Sequence, residues 1–132
     1  MDNLKYLEHV VELGKGQAAT TPEEMTSTFG SFNGFLGLYY DLAKMELQKV
    51  GIKTPPVRNF AIDKALDRID TRLDCADFAI PALIRMLREH RGIRLDEKEA
   101  QKIEKSLINF KYWLDEPGEV SACFFTENHL IL

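Results

Sequence analysis

Helical periodicity runs through most of this chain. Apolar residues recur at spacings of three and four over residues 3–13, 38–50, 58–73 and 96–114, with charged residues between them. This spacing places the apolar side chains on one face of a helix. The apolar and polar alternation of a surface strand is seen only as a weak candidate at residues 120–125. The pattern predicts an all-α fold of about five or six helices, which short loops join into antiparallel helical hairpins.

Glycine, proline and polar residues mark where these helices begin and end. Gly14 and Gly51 each follow an amphipathic stretch and predict a C-terminal stop. Thr21-Pro22-Glu23-Glu24 and Asp96-Glu97-Lys98-Glu99 have the residue types of a capping-box start. Pro81 leaves two alternatives, a kink in a helix that begins at Asp74 or a helix that begins near Ile80.

The clearest interruption of the helical pattern is the proline-containing segment 53–57, which predicts a rigid extended linker. It separates an N-terminal portion, residues 1–52, from a helical-hairpin portion, residues 58–132. Neither portion is large enough for a core of its own, so we expect one domain over residues 1–132. Within the first portion, Gly30, Gly34 and Gly37 alternate with phenylalanines, which favours close helix packing over a groove for a flat ligand.

Composition narrows the range of partners. The net charge of −4 argues against nucleic acid, because phosphate binding needs a concentrated positive surface. No apolar run approaches the roughly 20 residues that a membrane-spanning helix requires, and the charged N-terminus is not a secretory signal. Cys75 and Cys123 lack metal-binding spacing, which is typical of reduced thiols in a cytoplasmic protein.

Three polar clusters have ordinary explanations from the sequence. His9, His90 and His129 share no metal-ligand spacing, so neither a metal site nor another cofactor is predicted. The aspartates at positions 70, 74 and 77 are expected to cap helices and pair with arginines rather than to bind a cation. The arginines at positions 85, 88, 91 and 94 are expected to form a solvated face paired with acidic residues, in preference to an anion-binding edge.

The C-terminal segment carries the most distinctive chemistry. Glu127-Asn128-His129 interrupts an apolar stretch, with Phe124-Phe125 before it and Leu130-Ile131-Leu132 after it. Apolar flanks bury such polar groups, which must then satisfy one another or face a cavity. Tyr112 and Trp113 could supply flat surfaces beside that cavity. The two interpretations are a buried cluster that orients helices and a binding site.

Three segments carry a resemblance to known proteins. Asp74–Ile80, Phe110–Gly118 and Cys123–His129 resemble the early part of large, mostly uncharacterised bacterial proteins built as α/α-toroids. Glu127-Asn128-His129 also resembles the Asn-His element of toroidal polysaccharide lyases of the heparinase and alginate lyase type. The resemblance implies a ring of helical hairpins, of which this chain would be a fragment, and a glycan as ligand.

The same resemblance implies roles for five residues. Asn128 would neutralise the carboxylate of a uronate, and His129 would act as a general base or as its partner, beside Glu127. Tyr112 and Trp113 would stack on sugar rings. A toroid needs roughly twice the helices predicted here, so we expect a non-catalytic N-terminal fragment that is inactive as a 132-residue chain.

The alternative is a self-sufficient helical protein-interaction module. It would form a homodimer by burying the apolar C-terminal segment, with Phe124, Phe125 and residues 130–132, against a second copy.

Overall fold

The computed structural model of the protein describes residues 3–21, 35–71 and 76–110. Across these residues the chain forms five α-helices: α1 (Asn3–Gly14), α2 (Phe35–Lys49), α3 (Asn59–Asp70), α4 (Ile80–His90) and α5 (Glu97–Asn109). A 3-10 turn, Ala76–Ala79, leads into α4. In the described ranges the β pairing is limited to an isolated bridge between Arg91 and Leu95. The all-α prediction is confirmed.

The main core lies where α2, α3, α4 and α5 meet. α2 is apolar around most of its circumference, which is typical of a helix buried on several sides. It contributes Leu38 and Met45, both without solvent exposure, and α3 adds Ile62. Leu83 of α4 and Ile103 of α5 complete the contact and are equally buried.

α1 packs against α2 and forms a second, smaller apolar cluster with it. Gly14, at the end of α1, lies on the ring of Tyr40 in the second turn of α2. Leu47, near the other end of α2, shares the cluster with Leu4 and Leu7 from the start of α1. The two helices are therefore antiparallel. A Cβ atom on Gly14 would lie 2.3 Å from two atoms of the Tyr40 ring, so only glycine permits this approach.

The structure decides between the two alternatives left by Pro81. α4 begins at Ile80, and Pro81 occupies its first turn, where its missing N–H has no helical partner to lose. The four residues before α4 form a 3-10 turn and not an α-helical turn. Asp74, where the other alternative begins, lies outside the described ranges.

The predicted last helix begins at the expected residue, but its first turn lacks the predicted capping box and its C-terminal end comes earlier than predicted. Asp96 precedes α5 without capping it, because its Oδ2 accepts a hydrogen bond from Asn59 Nδ2 at 2.6 Å instead. Glu99 is buried and accepts from Lys102, so no capping box forms. α5 ends at Asn109, and Phe110, predicted to continue the helix, has an extended backbone.

Two of the four arginines of the run pair with acidic residues, as predicted. Arg85 bonds to Glu46, and Arg91 bonds to both Glu97 and Glu104. Arg94 donates to the imidazole of His90 and to a backbone carbonyl. The predicted helix start at residues 21–24 falls almost wholly outside the described ranges, as do Gly30 and Gly34.

Candidate functional site

The five residues predicted to form a lyase-like site, Tyr112, Trp113, Glu127, Asn128 and His129, lie outside the described residues. Their roles remain predictions. The apolar C-terminal segment expected to mediate dimerisation lies outside them as well. What the structure describes is a different surface, an apolar groove between α1 and α2.

The groove has a volume of about 810 Å³ and is lined mainly by apolar side chains. Leu7 and Val10 of α1 form one wall, and Leu42 and Ala43 of α2 form the other. We call this surface, together with the rim residues described next, the α1–α2 groove. An apolar concavity of this size is typical of a binding surface.

Four large apolar residues at the rim are exposed to solvent. Tyr6 and Leu13 of α1 are 56% and 48% exposed, and Leu36 of α2 and Val50 just after it are 38% and 54% exposed. Among the described residues, the other large apolar side chains with this exposure, Phe78, Ile84, Ile93 and Ile108, do not line the groove. The rim side chains therefore form a contiguous patch rather than scattered exposed residues.

The sequence of α1 explains why α2 covers only part of the apolar arc of α1. Leu4, Leu7 and Val11 lie on the side that α2 covers, whereas Tyr6 and Leu13 extend the apolar arc beyond it. One neighbouring helix covers only part of an arc this wide. The width of this apolar arc is the sequence signal that indicates Tyr6 and Leu13 as exposed apolar residues.

One end of the groove carries charged side chains that neutralise one another in ion pairs. Arg85 of α4 donates to both carboxylate oxygens of Glu46, at 2.5 and 3.2 Å. Lys49 donates to Glu89 at 2.8 Å, which places two bases against two acids. The hydrogen bond from Arg85 is the main cause that lowers the pKa of Glu46. A carboxylate held ionised in this way is a poor proton acceptor, so the groove end is better suited to binding than to acid–base catalysis.

A buried histidine lies behind this charged end. His90 has no solvent exposure, and its Nδ1 accepts a hydrogen bond from Arg94 Nε at 2.7 Å. Its Nε2 comes within 3.4 Å of Glu46 Oε1 but without the geometry of a hydrogen bond. Burial is the main cause that lowers the pKa of His90, and the nearby Glu46 opposes it. Burial thus favours the neutral imidazole, and because Nδ1 accepts the hydrogen bond from Arg94, the neutral form carries its proton on Nε2.

Three buried charged side chains hold the middle of α2 in place. Asp41 and Lys44, one turn apart, lie 2.8 Å from each other, and Arg58 Nε lies 3.2 Å from both oxygens of Asp41. The guanidinium of Arg58 also donates to the carbonyls of Ala19 and Gly37. This Asp41–Lys44–Arg58 cluster joins α2 to the segment after α1 and to the start of α3.

Sequence reasoning missed this cluster. The signal available was an acid and a base, Asp41 and Lys44, spaced by three in the otherwise apolar first part of α2, residues 35–45. Ion pairs at that spacing are usually solvated, and nothing local indicates that both are buried. The partner Arg58 lies 17 residues from Asp41 along the chain.

A second concavity, of about 610 Å³, lies between α3 and α5. Asp63, Asp67 and Asp70 line one wall, and Lys102 and Lys105 line the other. Lys102 is bonded to Asp63 and to Glu99. Since acids outnumber bases in the lining, this cleft offers a uronate no net attraction. No group of metal-ligating side chains forms within the described part of the chain.

Comparison with known proteins supplies no relative. No protein-family model, curated protein or solved structure matches this chain. Within the residues that the structure describes, no helix combines the length and apolarity needed to cross a membrane.

Proposed function

We propose that this chain is a helical protein-interaction module whose docking surface is the α1–α2 groove. The partner presents the apolar face of an amphipathic helix, which would lie along the groove between the two walls. The observation that carries the proposal is the contiguous exposure of Tyr6, Leu13, Leu36 and Val50 around an apolar concavity. An apolar helix face in an apolar groove is a recurring mode of protein recognition.

The dimensions of the groove support a helical partner. α2 has 15 residues, and at 1.5 Å per residue it is about 22 Å long. An amphipathic helix of four turns matches that length. The charged end is already neutralised by its own pairs, so it offers a partner a polar boundary rather than an unpaired charge.

The expected affinity is modest. Complete burial of a large apolar side chain contributes roughly 1.5–3 kcal/mol, and the four rim residues are each about half exposed. This side of the interface then supplies about 3–6 kcal/mol, with a similar amount from the partner. After the loss of translational and rotational freedom, a dissociation constant in roughly the micromolar range or weaker results.

The test uses a synthetic 14-residue amphipathic helix with leucines at heptad a and d positions, titrated into the labelled full chain. Methyl resonances of Leu7, Val10 and Leu42 should shift together. Val50→Glu should weaken binding about tenfold, while Ile93→Glu, on a residue 74% exposed outside the groove, should leave it unchanged. Binding that shifts none of the three methyls, or that Ile93→Glu weakens equally, refutes the proposal.

A further inference from the structure

The loop between α4 and α5, residues 91–95, is attached to the end of α4 by its backbone and by one side chain. The backbone N–H groups of Ile93, Arg94 and Leu95 donate to the carbonyl of His90 at 3.0, 3.1 and 2.9 Å. The guanidinium of Arg94 donates from Nη2 to the preceding carbonyl of α4 at 3.0 Å and from Nε to Nδ1 of the His90 imidazole at 2.7 Å. The Arg94 side chain is therefore held at the helix end by an acceptor that can titrate.

The hydrogen bond from Arg94 to His90 requires a neutral imidazole. A neutral imidazole has one acceptor nitrogen, whereas an imidazolium carries a proton on both nitrogens and accepts no hydrogen bond. Protonation of Nδ1 sets two donors and two positive charges against each other across the 2.7 Å contact. Arg94 is only partly buried, so its guanidinium can move into water, whereas His90 has no solvent exposure.

The other side of the imidazole faces a carboxylate that can stabilise the protonated form. Nε2 of His90 is buried without a hydrogen-bond partner among the described residues, and it lies 3.4 Å from Oε1 of Glu46. Arg85 donates to both oxygens of Glu46 and keeps it ionised, and a carboxylate has lone pairs left for a further donor. A small approach converts this contact into a charge-assisted hydrogen bond, which favours the imidazolium.

The charged groups around the imidazole act in opposite directions. Burial lowers the pKa of His90 most, Glu46 of α2 opposes this, and Arg94 of the loop and Lys49 of α2 lower the pKa further. Lys49 is paired with Glu89 of α4, and within the described part of the chain α5 adds no charged group to this set. Departure of the Arg94 guanidinium removes a charge that opposes protonation, so protonation of His90 and release of Arg94 favour each other.

We propose that His90 and Arg94 form a pH-sensitive switch, in which protonated His90 bonds to Glu46 and releases the Arg94 side chain from the end of α4 into solvent. The change is local, because the backbone bonds to the His90 carbonyl and the buried Leu95 keep the loop attached. The released Arg94 follows Ile93, which is 74% exposed, so the loop then presents an apolar and a positively charged side chain together. The inference does not rest on the proposed function, since it requires no partner in the α1–α2 groove.

The test is an NMR titration of the 15N-labelled full chain from about pH 7.5 to 4.5, which spans the range in which a histidine titrates. The imidazole nitrogens of His90 report its protonation, the Nε–H resonance of Arg94 reports its hydrogen bond, and far-UV circular dichroism reports the fold. We expect a His90 midpoint below 6.5 with constant helix content. The Arg94 resonance should move, with the same midpoint, to the position of an exposed arginine such as Arg88.

Three variants separate the contributions to this midpoint. Arg94→Met should raise it by about one pH unit, because a charge that opposes protonation is lost. Glu46→Gln should lower it, because the stabilising carboxylate is lost. Arg88→Met, the same substitution at an exposed arginine of α4, should leave the midpoint unchanged. Circular dichroism checks that each variant is folded.

Four results overturn the inference. The first is a His90 that stays neutral in the folded chain over the whole titration. The second is protonation that coincides with loss of helix content, and the third is an Arg94 resonance that does not move while His90 titrates. The fourth is an unchanged midpoint in Arg94→Met. The titration of the wild-type chain decides the first three, so the inference is tested even where a variant does not fold.

Discussion

Asp41 is the residue whose change tests the buried Asp41–Lys44–Arg58 cluster most directly. It has no solvent exposure and accepts hydrogen bonds from the backbone N–H and the Nε of Arg58, and Lys44 Nζ lies 2.8 Å away. Asp41→Asn keeps the size and shape of the side chain but removes its charge. The substitution leaves two buried cations, Lys44 and Arg58, facing a neutral amide. The NH2 group of that amide is itself a hydrogen-bond donor and cannot accept from them.

The expected loss can be worked out from this geometry. Breaking a buried ion pair by removing one partner costs about 3–5 kcal/mol, because the remaining charge stays desolvated. Lys44 can limit the loss by releasing its proton, since burial already lowers its pKa. Arg58 cannot do so, because a guanidinium stays protonated in proteins. We therefore expect a loss of about 3 kcal/mol, a large fraction of the roughly 5–15 kcal/mol that stabilises a typical domain.

Urea unfolding followed by circular dichroism measures this loss. With an m-value of about 1–3 kcal/mol per molar, the midpoint should fall by between 1 and 3 M. Asp41→Asn combined with Lys44→Met should recover part of the stability, because it removes one of the two uncompensated charges. Asp67→Asn, on an exposed carboxylate of α3, should leave the midpoint near that of the wild type. A loss below about 1 kcal/mol for Asp41→Asn, with an unchanged m-value, would falsify the structural role of the cluster.

Three further predictions concern other positions. Gly14→Ala should lower the free energy of unfolding by about 1–3 kcal/mol, because its Cβ would overlap the Tyr40 ring; stabilisation in a urea titration would contradict this contact. Burial is the main cause that lowers the pKa of His90 below its ordinary 6.5. Because the unfolded chain then binds the proton more readily than the folded chain, the free energy of unfolding should fall as the pH drops through 6.5. Unfolding midpoints measured from pH 7.5 to 5 should show this slope, and His90→Gln should flatten it. Pro81→Ala should change the free energy of unfolding by less than about 1 kcal/mol, because the proline occupies the first turn of α4; a gain of several kcal/mol in thermal or urea unfolding would point to a relieved kink.

Helix formation is the part of this protein that its sequence determines locally. Apolar residues at spacings of three and four define α1 to α5. Gly51, with a φ of +84°, follows α2 and provides the C-terminal stop that the sequence predicted. Errors occur where a local signal competes with a distant partner. The side chain of Asp96 is taken by Asn59, 37 residues away, and the helix that the pattern extends to Leu114 stops at Asn109.

The candidate site belongs to what only the tertiary structure decided. Periodicity shows which residues of α1 are apolar, but whether Leu13 is buried or exposed depends on how many neighbours cover that arc. The spacing of Asp41 and Lys44 is equally compatible with a solvated pair. It becomes a buried cluster because Arg58 reaches it from the start of α3. Exposure and pairing are properties of contacts between distant segments, whereas helicity depends on residues three or four apart.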